Sequence, residues 1–486
     1  MLIRFVSKWS MGNRPRTVSI HILDDDSLLH VFYLYRPFLL GEDGDELARF
    51  EGGRDTWARG RWWYQLAHVC QRWRYLLLGS ASYLDIPLVC TYKTPVADMV
   101  AHSPHLPLLI DYSQRRLEIT AKDEEEMIFA FKQRDRVSRI RLLIKTNQEK
   151  LITAMDDEYP ILEYLIVKTP NDDNSTILTF PETLQAPNLR HLMVSGLGFA
   201  AGSRLLTSAV SLVTLCLVMG HRDTYFHPNT LLQWISSMPQ LESLVVRFSL
   251  PVHQRDVERQ ITRTPITTLA ELPNLHYFRF EGVSTYLEAL LRRINAPHVE
   301  RLEIKFFSQL TLFVPHLQRI MNTAENLKFD TAVLQLSDNR GTVMLSHREV
   351  KMVPLALAVK CWHLDWQVSS LAQISNSLGQ VFCVLDHLVL EHQVHTRSSE
   401  EHNEIDRAEW RKLLGPFRKV KTLRIAKGLV EAVSRCLQLE DGELPLDLLP
   451  ELEELTFPQD DNNGDAFTPF ISARENTDHA VTVVPP

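Results

Sequence analysis

The chain has 486 residues, a formal net charge of -8, 45% hydrophobic and 23% charged residues. That is more chain than one simple core holds, an ordinary globular composition, and the wrong overall sign for binding nucleic acid through phosphate neutralisation. No apolar run approaches the roughly 20 residues of a membrane span. The six cysteines, Cys70, Cys90, Cys216, Cys361, Cys383 and Cys436, show no CxxC spacing, which argues against a zinc site or disulfide framework and for reduced thiols, as in cytosol or nucleus.

Residues 1–17 carry Arg4, Lys8, Arg14 and Arg16 and no acid, with Leu2, Ile3, Phe5, Val6 and Trp9 able to line one face. They read as a basic, disordered tail, with a mitochondrial presequence as the minor alternative and Met11 as an alternative start. The stretch ILDDDSLLHVFYLY from Ile22 predicts a helix, with Asp24 or Asp25 at its N-cap and Leu28, Leu29, Phe32 and Tyr35 as an apolar stripe. Residues 42–60 are charged and glycine-rich and read as a surface loop. LAHVCQRWRYLLLGS, residues 66–80, then places Leu66, Val69, Cys70, Trp73, Leu76 and Leu77 at helical spacing. A short unit with this much apolar surface is either a core piece or half of an interface. Residues 91–136 read as a connecting segment, with the charge run AKDEEE at 121–126 as a solvated face.

From residue 137 to about 460 the pattern apolar-x-x-apolar-x-apolar recurs, starting at Leu162, Leu189, Leu212, Leu241, Leu275, Val299, Leu385, Val420 and Leu452. Weaker copies start at Val137, Thr331 and Cys361. Starts lie roughly 23 to 35 residues apart, near the repeat length of leucine-rich solenoids. Prolines punctuate the entrance to many copies, as in YPILEYL, APNLRHL, MPQLESL and LPNLHYF. Helix-like segments such as NTLLQWISS and TYLEALLRRI lie between copies, with Asn229 and Thr285 as candidate N-caps. One strand and one helix cannot bury the repeated apolar face, but stacked neighbours can. The expected fold is α/β, a small N-terminal helical unit followed by an irregular leucine-rich-repeat-like solenoid, a curved parallel sheet backed by helices. Residues 461–486 form its C-terminal cap and tail.

The order ILDDDSLLHVF, LAHVCQRWRYLLLGS and YLDIPL resembles an F-box, mapping onto Leu23, Leu28, Leu29, Val31, Phe32, Val69, Cys70, Trp73 and Arg74. LVCTYKTPVADMVAHSPHLPLLIDY and the closing LLPELEELTF and DAFTPFISARE resemble the large F-box-like family of mushroom-forming fungi. Asp24 stands where that motif has proline, and the inter-helix loop is long. The resemblance implies that residues 18–90 form a helical domain docking a Skp-type adaptor, and through it a cullin, by way of Leu23, Leu28, Leu29, Val31, Phe32, Val69, Cys70 and Trp73. The repeats would then present an unknown protein substrate to a ubiquitin ligase, with no catalysis by this chain. The rival from the same residues is a leucine-rich-repeat scaffold whose helical unit merely caps the array.

Positions three, five and seven of each copy face away from the core. The early copies put Ile166, Met193, Cys216 and Val245 at position five, an apolar stripe that would be a substrate patch if solvent reaches it. Later copies carry Tyr277, Arg279 and Glu281, then Arg301, Glu303 and Lys305. Gly196, Gly198 and Gly202 resemble a dinucleotide turn only loosely, because Asp223, the nearest acid, lies beyond the next strand. His387, His392, His395 and His402 are dense in sequence, but a metal needs them convergent. GxSxG, HExxH and Walker A motifs are missing, and neither cofactor nor metal, nucleic acid nor membrane is expected.

Overall fold

The computed structural model describes residues 22–35 and 61–485, apart from positions 104, 115–116, 145–148, 170–177, 201, 221–224, 250–253, 308–311, 313, 325, 349–352, 394–406, 441, 459–464, 476 and 478. The basic tail, the loop at 42–60, Asp223, His395 and His402 lie outside these residues.

Three helices open the described chain: α1 (Asp25–Tyr35), α2 (Trp62–Ala67) and α3 (Gln71–Gly79). Asp24 is the α1 cap, its Oδ1 accepting the Ser27 N–H at 2.7 Å. The stretch 66–80 is not one helix. It breaks at 68–70, where Cys70 turns fully extended and leads into α3. Leu28 and Phe32 of α1, Trp62 and Trp63 of α2, and Trp73 and Leu77 of α3 fill the interior of this unit. Phe32 meets Trp73 edge-on at 5.0 Å between ring centres.

The sheet that follows has sixteen strands among the described residues. In chain order the strands are β1 (Leu88–Cys90), β2 (Leu108–Tyr112), β3 (Val137–Leu143), β4 (Tyr164–Lys168), β5 (Thr179–Phe180), β6 (His191–Ser195) and β7 (Gly198–Phe199). Next come β8 (Thr214–Met219), β9 (Ser243–Phe248), β10 (Ala270–Glu271), β11 (Tyr277–Gly282), β12 (Ile294–Asn295) and β13 (Arg301–Phe306). The last are β14 (Thr331–Ser337), β15 (Arg340–Ser346), β16 (Leu355–Lys360), β17 (His387–Gln393), β18 (Thr422–Ile425), β19 (Glu454–Thr456) and β20 (Thr482–Val484). The main sheet runs β1-β2-β3-β4-β6-β8-β9-β11-β13-β16-β15-β14-β17-β18-β19-β20, while β5-β7 and β10-β12 are small two-stranded pairs beside it. The sheet thus begins at Leu88 and takes in the segments 91–136 and 461–486.

Pairing is parallel and in step from β3 to β13, so the inward residues form columns: Leu165, Leu192, Leu215, Leu244, Phe278 and Leu302 lie side by side, each 2% exposed or less. Helices return the chain between strands and close the core behind them, which makes the molecule a large, curved, mostly parallel sheet backed by helices. Truncating one such leucine to alanine costs about 2–5 kcal/mol, because its neighbours above and below cannot collapse onto the gap. The prolines do mark the turns into the strands, and a partner accompanies two of them. The Asn188 side-chain amide donates to the Pro160 carbonyl at 2.6 Å, and Asn274 to Pro239 at 3.1 Å, so each repeat ties its turn to the one before.

Four local expectations need correction. The helix Pro228–Ile235 is capped by the His227 ring, which accepts the Asn229 N–H at 3.1 Å, while Asn229 itself accepts from Thr267 and Thr268. Thr285 lies inside the helix Ser284–Leu291, whose cap position is Val283. The run at 121–126 opens a helix, Ala121–Phe131, in which Thr120 and buried Asp123 form a reciprocal capping box. The copy placed at Cys361 is not a strand. The strand is β16 just before it, and a helix, Leu364–Ser377, starts three residues later.

The sheet is also not parallel throughout. β15 is antiparallel to both β14 and β16, and β16, not β14, pairs with β13. Leu355, Leu357 and Val359 of β16 and Val343 and Leu345 of β15 keep the inward columns filled across the insertion.

Candidate interaction surfaces

The residues that carried the F-box resemblance separate into three groups. Leu28, Phe32 and Trp73 point inward, Leu29 and Cys70 are half-buried, and Leu23, Val31 and Val69 are exposed. Leu28, Phe32 and Trp73, expected among the adaptor contacts, are buried inside the unit itself: three short helices close a core only with their largest apolar side chains. Arg72 holds α3 to α1 by donating from Nε and Nη2 to one Asp25 oxygen, Oδ1, at 2.9 and 2.7 Å, and to the Leu23 carbonyl at 2.7 Å. Arg74 donates to the Ala67 carbonyl and so joins α3 to α2. Among the outward apolar residues that sequence reasoning passed over are Leu34, 69% exposed, and Tyr75, 70% exposed, with Leu78 about one turn after Tyr75 on α3. Their signal was present, since Val31 and Leu34 lie three apart and so one turn on from each other, beside the edge that Leu28 and Phe32 bury.

The helical unit joins the sheet directly. The Trp63 indole donates to the Pro87 carbonyl at 3.2 Å, Arg139 of β3 reaches Asp85 at 3.0 Å, and both parts share one continuous hydrophobic core.

On the sheet face away from the helices, the position-five column is closed to solvent. Ile166 and Met193 are 3% exposed, and Cys216 and Val245 are 0% exposed; with Val218 and Tyr277 they form a second, separate apolar cluster. The expectation of an open stripe is thus corrected. Columns on either side crowd it: Tyr164, His191, Thr214 and Ser243 at position three, and Lys168, Ser195, Val218 and Arg247 at position seven. His191 stacks on Tyr164 at 4.4 Å and bonds Thr214 at 3.1 Å. Burial holds its pKa down at about 4, so it is neutral at pH 7.

From β11 onward the same face is charged and partly open. Glu281 is 5% exposed and receives Lys360 at 2.6 Å, Arg247 at 3.2 Å and Lys305 at 3.4 Å. Burial would raise its pKa, but the three cations outweigh that and hold it below the usual carboxylate range. Glu303 pairs with Arg301 and with Arg279, and the Arg301 guanidinium lies over the Tyr277 ring at 5.1 Å. Tyr277, Arg279, Glu281, Arg301, Glu303 and Lys305 do therefore converge. Lys360 and Arg247 were not foreseen, the first because the antiparallel insertion hid the repeat, the second because it sits at position seven of a copy read only at position five.

The other sequence candidates separate. Gly196, at φ +79, ends β6 in a tight turn beside Thr169, and the next helix, Arg204–Ser208, is a single short turn rather than a phosphate-binding start. His387 and His392 both lie on β17, five positions apart, and so face opposite sides of the sheet; His387 bonds Thr422 at 2.7 Å, and His392 packs against Gly428. Among the described residues no group of three or more His, Cys, Asp or Glu could hold a metal, and no helix is long and apolar enough to cross a membrane. Compared with known families and curated proteins, the chain matches no family model and no curated protein.

Proposed function

We propose that this protein recruits another protein to a Skp–cullin–F-box type ubiquitin ligase, with α1–α3 docking the adaptor and the open sheet face holding the substrate. The observation that carries the adaptor half is the set of exposed apolar side chains on α1 and α3: Val31 and Leu34 on one helix, Tyr75 and Leu78 on the other, with Val69 between α2 and α3. Exposed apolar side chains of this size are costly to keep on a soluble unit unless a partner covers them. The test is retention of a Skp-type adaptor from the same organism by the purified full chain. Leu34→Glu and Tyr75→Glu should abolish it while circular dichroism stays unchanged, since neither side chain is in the core. An adaptor held equally well by both variants, or not held by the folded wild-type chain, overturns the proposal.

A second reading, a scaffold without a ligase link, is favoured by one specific observation. The helical unit shares its core with the first strands, as a cap on an array would. It predicts no adaptor retention and marked destabilisation when α1–α3 are removed.

A further inference from the structure

On the open face of β9, β11, β13 and β16, five cationic side chains, Arg247, Arg279, Arg301, Lys305 and Lys360, surround two carboxylates, Glu281 and Glu303. The arginines hold further interactions of their own, whereas the two lysines converge on one carboxylate. Both reach the same Glu281 oxygen, Lys360 at 2.6 Å and Lys305 at 3.4 Å, and that carboxylate is already engaged by Arg247. One carboxylate cannot neutralise both lysines, yet their side chains remain 39% and 30% exposed. Burial and repulsion from Lys360 and Arg247 both depress the Lys305 pKa, so the crowding costs free energy. The sheet does not need it: Thr342 and Gln335 occupy the same column two and three strands on. The cluster is cationic in a chain of net charge -8, so it is a local site of opposite sign. Directly after β16, Trp362 and Trp366 stand 77% and 59% exposed, the residue type most enriched at binding hot spots.

We propose that this patch docks an acidic peptide segment of a partner protein, seating a carboxylate or phosphate group between Lys305 and Lys360 with Trp362 as an apolar anchor beside it. This rests on the reading that the open sheet face recruits a protein, and it names the chemistry recruited. A nucleic acid is the poorer fit, because its backbone needs a continuous run of cations, and here carboxylates alternate with them.

The experiment is fluorescence anisotropy on the full chain with a labelled glutamate-rich peptide, its phosphoserine counterpart, a lysine-rich control and a single-stranded oligonucleotide, at low and high salt. The two acidic peptides should bind and weaken with salt, and tighter binding of the phosphoserine form assigns the group to phosphate. Lys305→Met with Lys360→Met should weaken binding about tenfold or more. Trp362→Ala, which touches no core, should weaken it less, and Glu281→Gln should tighten it by freeing the cations. Circular dichroism checks each variant. Equal binding of the lysine-rich peptide, preference for the oligonucleotide, or indifference to all these variants overturns the proposal. Adaptor retention is measured on the same preparations: adaptor bound without acidic peptide sinks only this inference, and peptide bound without adaptor sinks only the ligase reading.

Discussion

Arg474 is the most demanding polar residue of the fold. It is 0% exposed, and its guanidinium donates to three consecutive carbonyls, Leu448 at 2.7 Å, Leu449 at 2.8 Å and Pro450 at 3.2 Å, while lying 5.1 Å over the Phe470 ring. It holds Leu449 in a left-handed conformation, φ +48, that a leucine does not choose by itself. Arg474→Met keeps the stem and removes the charge. Three bonds from a charged donor are worth about 1.5–3 kcal/mol each. Against this, the variant no longer buries an ion, which offsets several kcal/mol. The net loss should be about 2–4 kcal/mol, toward the range for breaking a buried charged contact. Because each repeat touches only its neighbours, the loss should fall on the last strands rather than on the whole array. Hydrogen exchange read by mass spectrometry should show residues 444–485 exchanging about 1.5 to 3 decades faster, with β3–β13 unchanged. Uniform acceleration along the chain would refute the local-latch reasoning, and no acceleration would show that the three carbonyl bonds contribute nothing net.

His191 gives a pH dependence: burial lowers its pKa from 6.5 to about 4, so between those values the unfolded chain takes up a proton that the folded one refuses. Stability should therefore fall by up to about 3 kcal/mol as pH drops from 6.5 to 4, and His191→Gln should flatten that slope in urea titrations. Gly196→Ala should cost about 2 kcal/mol or more, since φ is +79 and a Cβ would lie 2.1 Å from the Thr169 hydroxyl; an unchanged thermal midpoint would contradict this. Maleimide should modify half-exposed Cys70 and Cys383 first and reach Cys216 only in denaturant, so fast labelling of Cys216 in the folded protein would show that the apolar column is open after all.

The repeat was legible because its physics is local. Leu165 and Val167, or Leu302 and Ile304, lie two apart and must share a face, whatever follows them. The caps were less legible: Asn229 is a good N-cap residue type, but His227 precedes a proline at the first helical position, and tertiary contacts with Thr267 and Thr268 claimed the asparagine. The outer columns were hardest, because exposure of Met193 or Cys216 depends on how the side chains at positions three and seven of the stacked strands close over them, and alternation alone does not record it. In α1–α3 the pattern found α1 and most of α3, but it ran α2 and α3 together and did not show which apolar residues turn inward. Leu28 and Leu34 read alike until the partner helices are in place.

The exchange of neighbours at the antiparallel insertion has a consequence for synthesis. Each earlier strand finds its partner in the next repeat, but β13 must wait for β16, while β14 and β15 are made first and pair elsewhere. At about 5–20 residues per second, the roughly 50 residues between Phe306 and Leu355 take on the order of several seconds to emerge, and throughout that time β13 presents an unpaired edge. Arg301, Glu303 and Lys305 alternate along that strand on its open face. A strand so charged is a poor template for pairing with a second nascent copy, which is how charged side chains guard an exposed sheet edge.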